Sequence, residues 1–273
     1  MKIHDLKTYS KQHDLPLVVL TAYTAPMSRI LQPFVDFLLV GDSLGMVLYG
    51  MNNTREVTLE LMKAHGKAVC KAGCQATREV DVIIDMPFGT YTDADSALNN
   101  ARTLIDATGA AAVKLEGGVE IAPIIQKLTH SDIDVIGHIG LQPQSVTSDF
   151  KAKGRQEDEA AQILADAHAV QESGAMAVVI EAVMEPLARQ ITQEVTIPTI
   201  GIGASPACDG QVLVSEDMLG YGQGPSPRFV KKYADLESQI AAAAGEYADE
   251  VRSRIFPSEK HLYKARAKIK NKD

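Results

Sequence analysis

Long apolar runs are missing from this chain. No stretch reaches the roughly 18 uninterrupted apolar residues that a helix needs to cross a bilayer, so no membrane span is expected. Positive charge is not in excess either. Lys and Arg number 27 against 35 Asp and Glu, and the net charge of −8 speaks against a nucleic-acid-binding surface. No basic start leads into an apolar run within Met1–Asp14, so no secretory signal is expected. Cysteine is scarce and odd in number (Cys70, Cys74 and Cys208), which argues for a reducing compartment and against a disulfide framework. Cys70 and Cys74 lie four apart in a helical stretch, but no Cys/His pair follows at zinc spacing. They are expected as small buried apolar side chains. A cytoplasmic protein is the reading these absences leave.

Repeats and low-complexity linkers are absent too, so residues 1–273 are expected to form one domain. Its barrel core is expected at about 17–227, C-terminal helices at about 228–256 and a basic, solvated tail at 257–273. A single α/β barrel usually takes about 250 residues, and 45% apolar with 23% charged residues is ordinary for a globular chain.

What is present is a rhythm. Short apolar runs recur at Leu17–Thr21, Phe37–Val40, Val80–Ile84, Ala111–Leu115, Asp134–Gly137, Ala177–Ile180, Thr199–Ile202 and, less sharply, Val212–Val214. Helical periodicity fills most gaps, at Leu59–Lys71, Ala94–Thr108, Ile121–Leu128, Glu157–Ser173 and Glu185–Thr192. Thr92-Asp93-Ala94-Asp95 offers cap residues before a helix, and Gly109 and Gly174 stand where helices end. Strand–helix alternation implies βα units and a parallel sheet. Eight candidate strands point to a closed (β/α)8 TIM barrel, with a doubly wound open sheet as the rival. After Pro227, Phe229–Ile255 reads as one or two long helices, stopped at Pro257.

The polar residues fall at the strand ends. Asp42, Asp85, Glu116, His138 and Glu181 follow one another at gaps of 43, 31, 22 and 43 residues, which match single βα units with loops of varied length. A barrel gathers the C-terminal ends of its strands on one face, where its active site lies. Lys114 and Glu116 are two apart on one strand and so share a face, pointing into the barrel mouth, while Val113 and Leu115 point toward the helices. Inward charges are costly unless they pair or bind something. Asp42, Asp85 and Glu116 are hard oxygen donors, which suit Mg²⁺ and not structural zinc. Glycine-rich segments, Gly41–Gly45, Gly117-Gly118 and Gly201–Ala204, flank the same mouth.

Seven segments then carry a resemblance: LTAY at Leu20–Tyr23, LVGDSLGM at Leu39–Met46, DMPF at Asp85–Phe88, VKLEGG at Val113–Gly118, GHIGLQPQ at Gly137–Gln144, GIGA at Gly201–Ala204 and DGQVLV at Asp209–Val214. Together they resemble the ketopantoate hydroxymethyltransferase family, LVGDSLGM with VKLEGG being the specific pair. The resemblance implies a barrel of the phosphoenolpyruvate mutase/isocitrate lyase type. It implies hydroxymethyl transfer from 5,10-methylenetetrahydrofolate, as co-substrate, to 3-methyl-2-oxobutanoate, giving 2-dehydropantoate for pantothenate synthesis. It implies a magnesium site at Asp42, Asp85 and Glu116, and oxo-acid contacts from Asp42, Ser43, Asp85 and Lys114 with His138 nearby. It implies Glu181 as the base, and a cytoplasmic homo-oligomer, commonly a decamer. The apolar flanks of Glu181, Val178–Ile180 and Ala182-Val183, are expected to raise its pKa and improve it as a base. Thr24, Gln142 and Ser148-Asp149-Phe150 depart from the family pattern. Two alternatives stay open: a magnesium-dependent 2-oxo-acid lyase or mutase of the same superfamily, and a non-catalytic ligand-binding barrel. The first should carry a Lys-Lys-Cys-Gly-His loop, which this sequence lacks.

Overall fold

In the computed structural model, eight parallel strands close into a barrel in sequence order, β1 to β8. The structure describes residues 2–9, 11, 15–73, 78–145, 151–222 and 227–263. The strands are β1 (Leu17–Thr21), β2 (Phe37–Val40), β3 (Asp81–Asp85), β4 (Ala112–Glu116), β5 (Val135–Gly140), β6 (Ala177–Glu181), β7 (Thr199–Ile202) and β8 (Gly210–Leu213). Helices follow in between: α1 (Ala25–Leu31), α2 (Leu44–Tyr49), α3 (Leu59–Gly73), α4 (Ala94–Thr108), α5 (Ala122–Thr129), α6 (Glu157–Glu172), α7 (Glu185–Glu194) and α8 (Ser215–Met218). A last helix, α9 (Leu236–Arg252), comes after the barrel. The rival open sheet is excluded, because β8 pairs with β1, Leu17 opposite Gly210.

Most strands are buried on both sides, against the barrel interior and against the helices; β1 and β8 are the exceptions, with Val18 and Gln211 exposed. β4 is buried at all five positions. Its Val113 and Leu115 join the core between sheet and helices, with Leu38, Ile84 and Leu104. Phe37, Leu39, Ile83, Ile136 and Val179 fill the barrel interior. Local signals set the helix ends. Asp93 Oδ1 accepts from the amides of Asp95 and Ser96 at 3.1 and 2.9 Å, starting α4, and Gly109 ends it in the left-handed region at φ 78°.

Three expectations need revision. The eighth strand lies at Gly210–Leu213 and not Val212–Val214. A side chain at Gly210 would sit 2.6 Å from Leu17 Cβ, so closing the barrel onto β1 needs glycine at that point. The long helix expected over Phe229–Ile255 is only α9. Asp235 caps it, accepting from Ser238 N at 3.3 Å, and an aspartate with that local bond starts a helix in preference to lying inside one. Cys70 is half-buried against the core, not fully buried, while Cys74 lies outside the described residues, as do the segment 148–150 and the tail 264–273. Thr24, a departure from the family pattern, has a plain role: its hydroxyl caps α1, accepting from Met27 N at 3.3 Å. No described helix is long and apolar enough to cross a membrane.

Candidate active site

Strand register assembles the charged residues. β3 pairs with β4 so that Asp85 lies opposite Lys114, and β4 with β5 so that Glu116 lies opposite His138. Asp42 follows β2 on the adjoining loop, and Glu181 closes β6. These six side chains, with Ser43 beside Asp42, therefore meet at the C-terminal mouth. Lys114 reaches there from the interior, where it shares a small cavity with Leu39, Ile83, Ile136 and Val179.

The contacts are short and buried. Lys114 Nζ is 2.9 Å from Asp85 Oδ1 and 3.3 Å from His138 Nδ1. Asp85 Oδ2 accepts from the Asp42 amide at 3.0 Å. His138 stands between two carboxylates, with Nδ1 3.5 Å from Glu116 Oε1 and Nε2 3.1 Å from Glu181 Oε2. Asp42, Asp85, Lys114, Glu116 and His138 are each at most 6% exposed, whereas the Glu181 side chain is 17% exposed and faces the cleft. Ser43 is half-buried at the rim, its hydroxyl 2.7 Å from that of Tyr23.

Charge explains why this cluster holds. Burial alone would lower the Lys114 pKa, but Asp85, Glu116 and Asp42 more than reverse that and hold it protonated. Burial and Lys114 press His138 toward neutrality, and the flanking Glu116 and Glu181 outweigh them, lifting it to about 9. Burial pushes the Glu116 carboxyl up, yet His138 and Lys114 bring it below the usual glutamate range. Asp42 is the exception. Burial drives its pKa well up, Asp85 and Glu116 add to the rise, and Lys114 offsets only part. Four carboxylates, Glu181 included, face two cations, so negative charge is in excess. A proton on Asp42 or a bound cation reduces that excess.

A hard divalent cation fits this donor set. Asp85 Oδ1 is buried and, apart from its ion pair to Lys114, lacks any aligned hydrogen-bond donor. Among the described residues no three His, Cys, Asp or Glu side chains are grouped closely enough to enclose an ion as they stand. A cation here would take the rest of its shell from water or substrate oxygens, as Mg²⁺ commonly does. Above the cluster lies a cleft of about 1700 Å³, lined at its rim by Met46, Met51, Met184 and Phe229. Single-ligand pockets commonly occupy about 300–1,000 Å³, so this one has room for two substrates.

Two buried carboxylate or amide groups escaped the sequence reading. Gln144, 3% exposed, reaches into the carboxylate cluster from the loop after β5. Glu216, on α8, is 5% exposed and its Oε2 has no hydrogen-bond partner. Burial pushes Glu216 up to about 7, helped by Asp217. Its folded pKa is thus above the model-peptide value of 4.5, so it destabilises the fold as pH rises from about 4.5 through 7 and not below. Glu216→Gln, neutral at every pH, is expected to melt above the parent at pH 8 by up to about 3 kcal/mol of stability, the gap closing by pH 4.5. Thermal unfolding across that range checks this, and a gap independent of pH would refute it.

Known proteins were compared with this chain. A family model for ketopantoate hydroxymethyltransferase matches residues 1–259. The 3-methyl-2-oxobutanoate hydroxymethyltransferase of Brucella canis is 52% identical over 256 residues, covering 93% of this chain and 92% of its own. That of Sinorhizobium medicae is 49% identical over 260 residues, covering 94% of each. Among solved structures, 2,3-dimethylmalate lyase, a PEP mutase/isocitrate lyase superfamily member, aligns at TM-score 0.59 and 17% identity, over 96% of this chain and 91% of that one. Phosphonopyruvate hydrolase in complex with oxalate and Mg²⁺ aligns at TM-score 0.60 and 12% identity, over 97% and 93%. These two likenesses show the (β/α)8 fold. With the sequence matches spanning nearly its whole length, this chain belongs to the ketopantoate hydroxymethyltransferase family.

Proposed function

We propose that this chain transfers a hydroxymethyl group from 5,10-methylenetetrahydrofolate to 3-methyl-2-oxobutanoate, giving 2-dehydropantoate for pantothenate synthesis. Membership of the family supports the reaction. The observation that carries the residue roles is the buried Lys114–Asp85 pair beside Asp42 and Glu116, beneath a cleft large enough for both substrates.

Asp42, Asp85 and Glu116 would hold Mg²⁺, directly or through water. When bound, the ion supplies positive charge for the keto and carboxylate oxygens of the oxo acid. Lys114 holds a second, fixed positive charge where negative charge develops as the C3 proton leaves. Ser43 offers a hydroxyl at the rim, oriented by Tyr23. Glu181 takes the C3 proton, and His138 holds Glu181 from below. The carbon so activated attacks the methylene carbon of the folate. A C–C bond forms, the C–N bonds to the methylene break, and one water is taken up as the new hydroxyl. The apolar side chains Met46, Met184 and Phe229 around the cleft limit competing water.

The lyase or mutase reading has likeness of fold alone behind it, and the non-catalytic barrel leaves the buried Lys114 and the extra carboxylate Glu181 without purpose. A turnover assay separates the three. Hydroxymethylation of 3-methyl-2-oxobutanoate that depends on methylenetetrahydrofolate is expected. Cleavage of a 2-oxo acid without folate would favour the lyase, and ligand binding without turnover the last.

The same reading includes a cytoplasmic homo-oligomer, commonly ten subunits. Helix α9 supports it: the helix has no buried residue, and Ile240, Tyr247 and Val251 form an exposed apolar stripe along one side. Sedimentation is expected to give a species several times the chain mass of 29.4 kDa. A 29.4 kDa monomer at micromolar concentration would refute assembly.

A further inference from the structure

Gln144 makes more polar contacts to the carboxylate cluster than any role so far assigned to it requires. Its backbone amide donates to Glu116 Oε2 at 2.9 Å. Its side-chain Nε2 donates to Asp42 Oδ2 at 2.8 Å and to the Met86 carbonyl at 2.9 Å. Its Oε1 accepts from the hydroxyl of Tyr91, on the loop before α4. Both N–H groups of the amide meet acceptors, and its oxygen meets a donor.

From this geometry we infer that Gln144 is a positioning residue for the cation site, tying Asp42 and Glu116 into one arrangement, and that Tyr91 locks it there. The inference rests on the proposed role of those carboxylates. Asp42 follows β2 and Glu116 ends β4, and their carboxylates repel each other. One residue that donates to both, from side chain and backbone respectively, offsets that repulsion and fixes how each carboxylate is turned. The lock follows from amide asymmetry. Turned by 180°, the amide would set Oε1 against Asp42 Oδ2 and the Met86 carbonyl, and its NH₂ against Tyr91. Asp42 Oδ2 and the Met86 carbonyl thus set the orientation, and the Tyr91 hydroxyl, whose second acceptor, the Glu116 carbonyl, is more distant at 3.5 Å, holds it by donating to Oε1. Groups that hold metal ligands from behind commonly contribute 10–100-fold in affinity.

The test is Mn²⁺ binding, read by electron paramagnetic resonance on the full chain, with Gln144→Met, Tyr91→Phe and the double variant. Methionine keeps length and volume but has no amide. Gln144→Met is expected to melt near the parent without metal and to bind Mn²⁺ about 10–100-fold more weakly. Tyr91→Phe is expected to weaken binding several-fold. The double variant is expected to bind no worse than Gln144→Met alone, because a lock does nothing once the amide is gone. Merely structural roles would give additive losses in melting temperature and leave affinity unmoved. Parent-like Mn²⁺ affinity in Gln144→Met overturns the inference, as does a full Tyr91→Phe effect in its background. Failure of the parent chain to bind Mn²⁺ overturns the cation site itself. The crystal structure of Gln144→Met then decides the positioning role: Asp42 turned away from its present orientation upholds it, and Asp42 unmoved overturns it.

Discussion

Asp85→Ala is expected to abolish turnover and to take Mn²⁺ binding with it. Asp85 carries three duties in one carboxylate: it pairs with Lys114 at 2.9 Å, accepts from the Asp42 amide at 3.0 Å, and presents a buried oxygen without an aligned donor. Its loss removes a negative charge from the carboxylate cluster proposed to hold the cation. Charge stabilisation of several kcal/mol lost there corresponds, at 1.36 kcal/mol per decade, to about a thousandfold or more in rate. Asp85→Asn separates charge from shape. It retains an oxygen for the Asp42 amide and should fold, yet it should fail in the same assay. Normal turnover of Asp85→Ala in chelator-treated buffer would sink the metal assignment, whatever the variant's stability.

The barrel was legible because its signal is repeated. β1, β2 and β7 coincide with their apolar runs: β2 and β7 are buried at every position and read as continuous segments, while β1 alternates, with Val18 exposed. The charged residues were legible because a Lys or Glu inside such a run is costly, so Lys114 and Glu116 stood out two residues apart. Short elements were not. α1 and α2, of seven and six residues, are too brief for a helical period to declare itself. Gln144 stayed hidden for another reason. A neutral amide in a loop breaks no pattern, and its meaning arises only when the loop after β5 folds back over Asp42, 102 positions away in sequence. Glu216 looked like an ordinary acidic residue in the first turn of a helix, and only its burial sets it apart. The apolar flanks of Glu181, Val178–Ile180 and Ala182-Val183, are buried, whereas Glu181 itself opens to the cleft with the His138 imidazole 3.1 Å away, from a strand 43 residues earlier.

That imidazole shapes the second large effect. Glu181→Gln is expected to slow exchange of the C3 proton of 3-methyl-2-oxobutanoate into deuterated water by about 10²–10⁴-fold, the usual contribution of a positioned base. Metal and substrate binding should be little changed, since Glu181 lies across the mouth from Asp42 and Asp85. The competing base is His138. Its pKa is lifted to about 9, so at neutral pH it already holds its proton, and a protonated imidazole cannot accept another. Its position agrees. Nδ1 is directed into the Lys114–Glu116 cluster and Nε2 toward Glu181, with the ring 2% exposed, leaving no nitrogen open to the cleft. Glu181, at 17% side-chain exposure, is the one carboxylate of the group that lines the cleft without a place in the cation site. His138→Asn should therefore reduce exchange indirectly, by freeing Glu181 to turn, and by less than Glu181→Gln. If Glu181→Gln exchanges at the parent rate while His138→Asn does not, the base is His138 and the assignment fails.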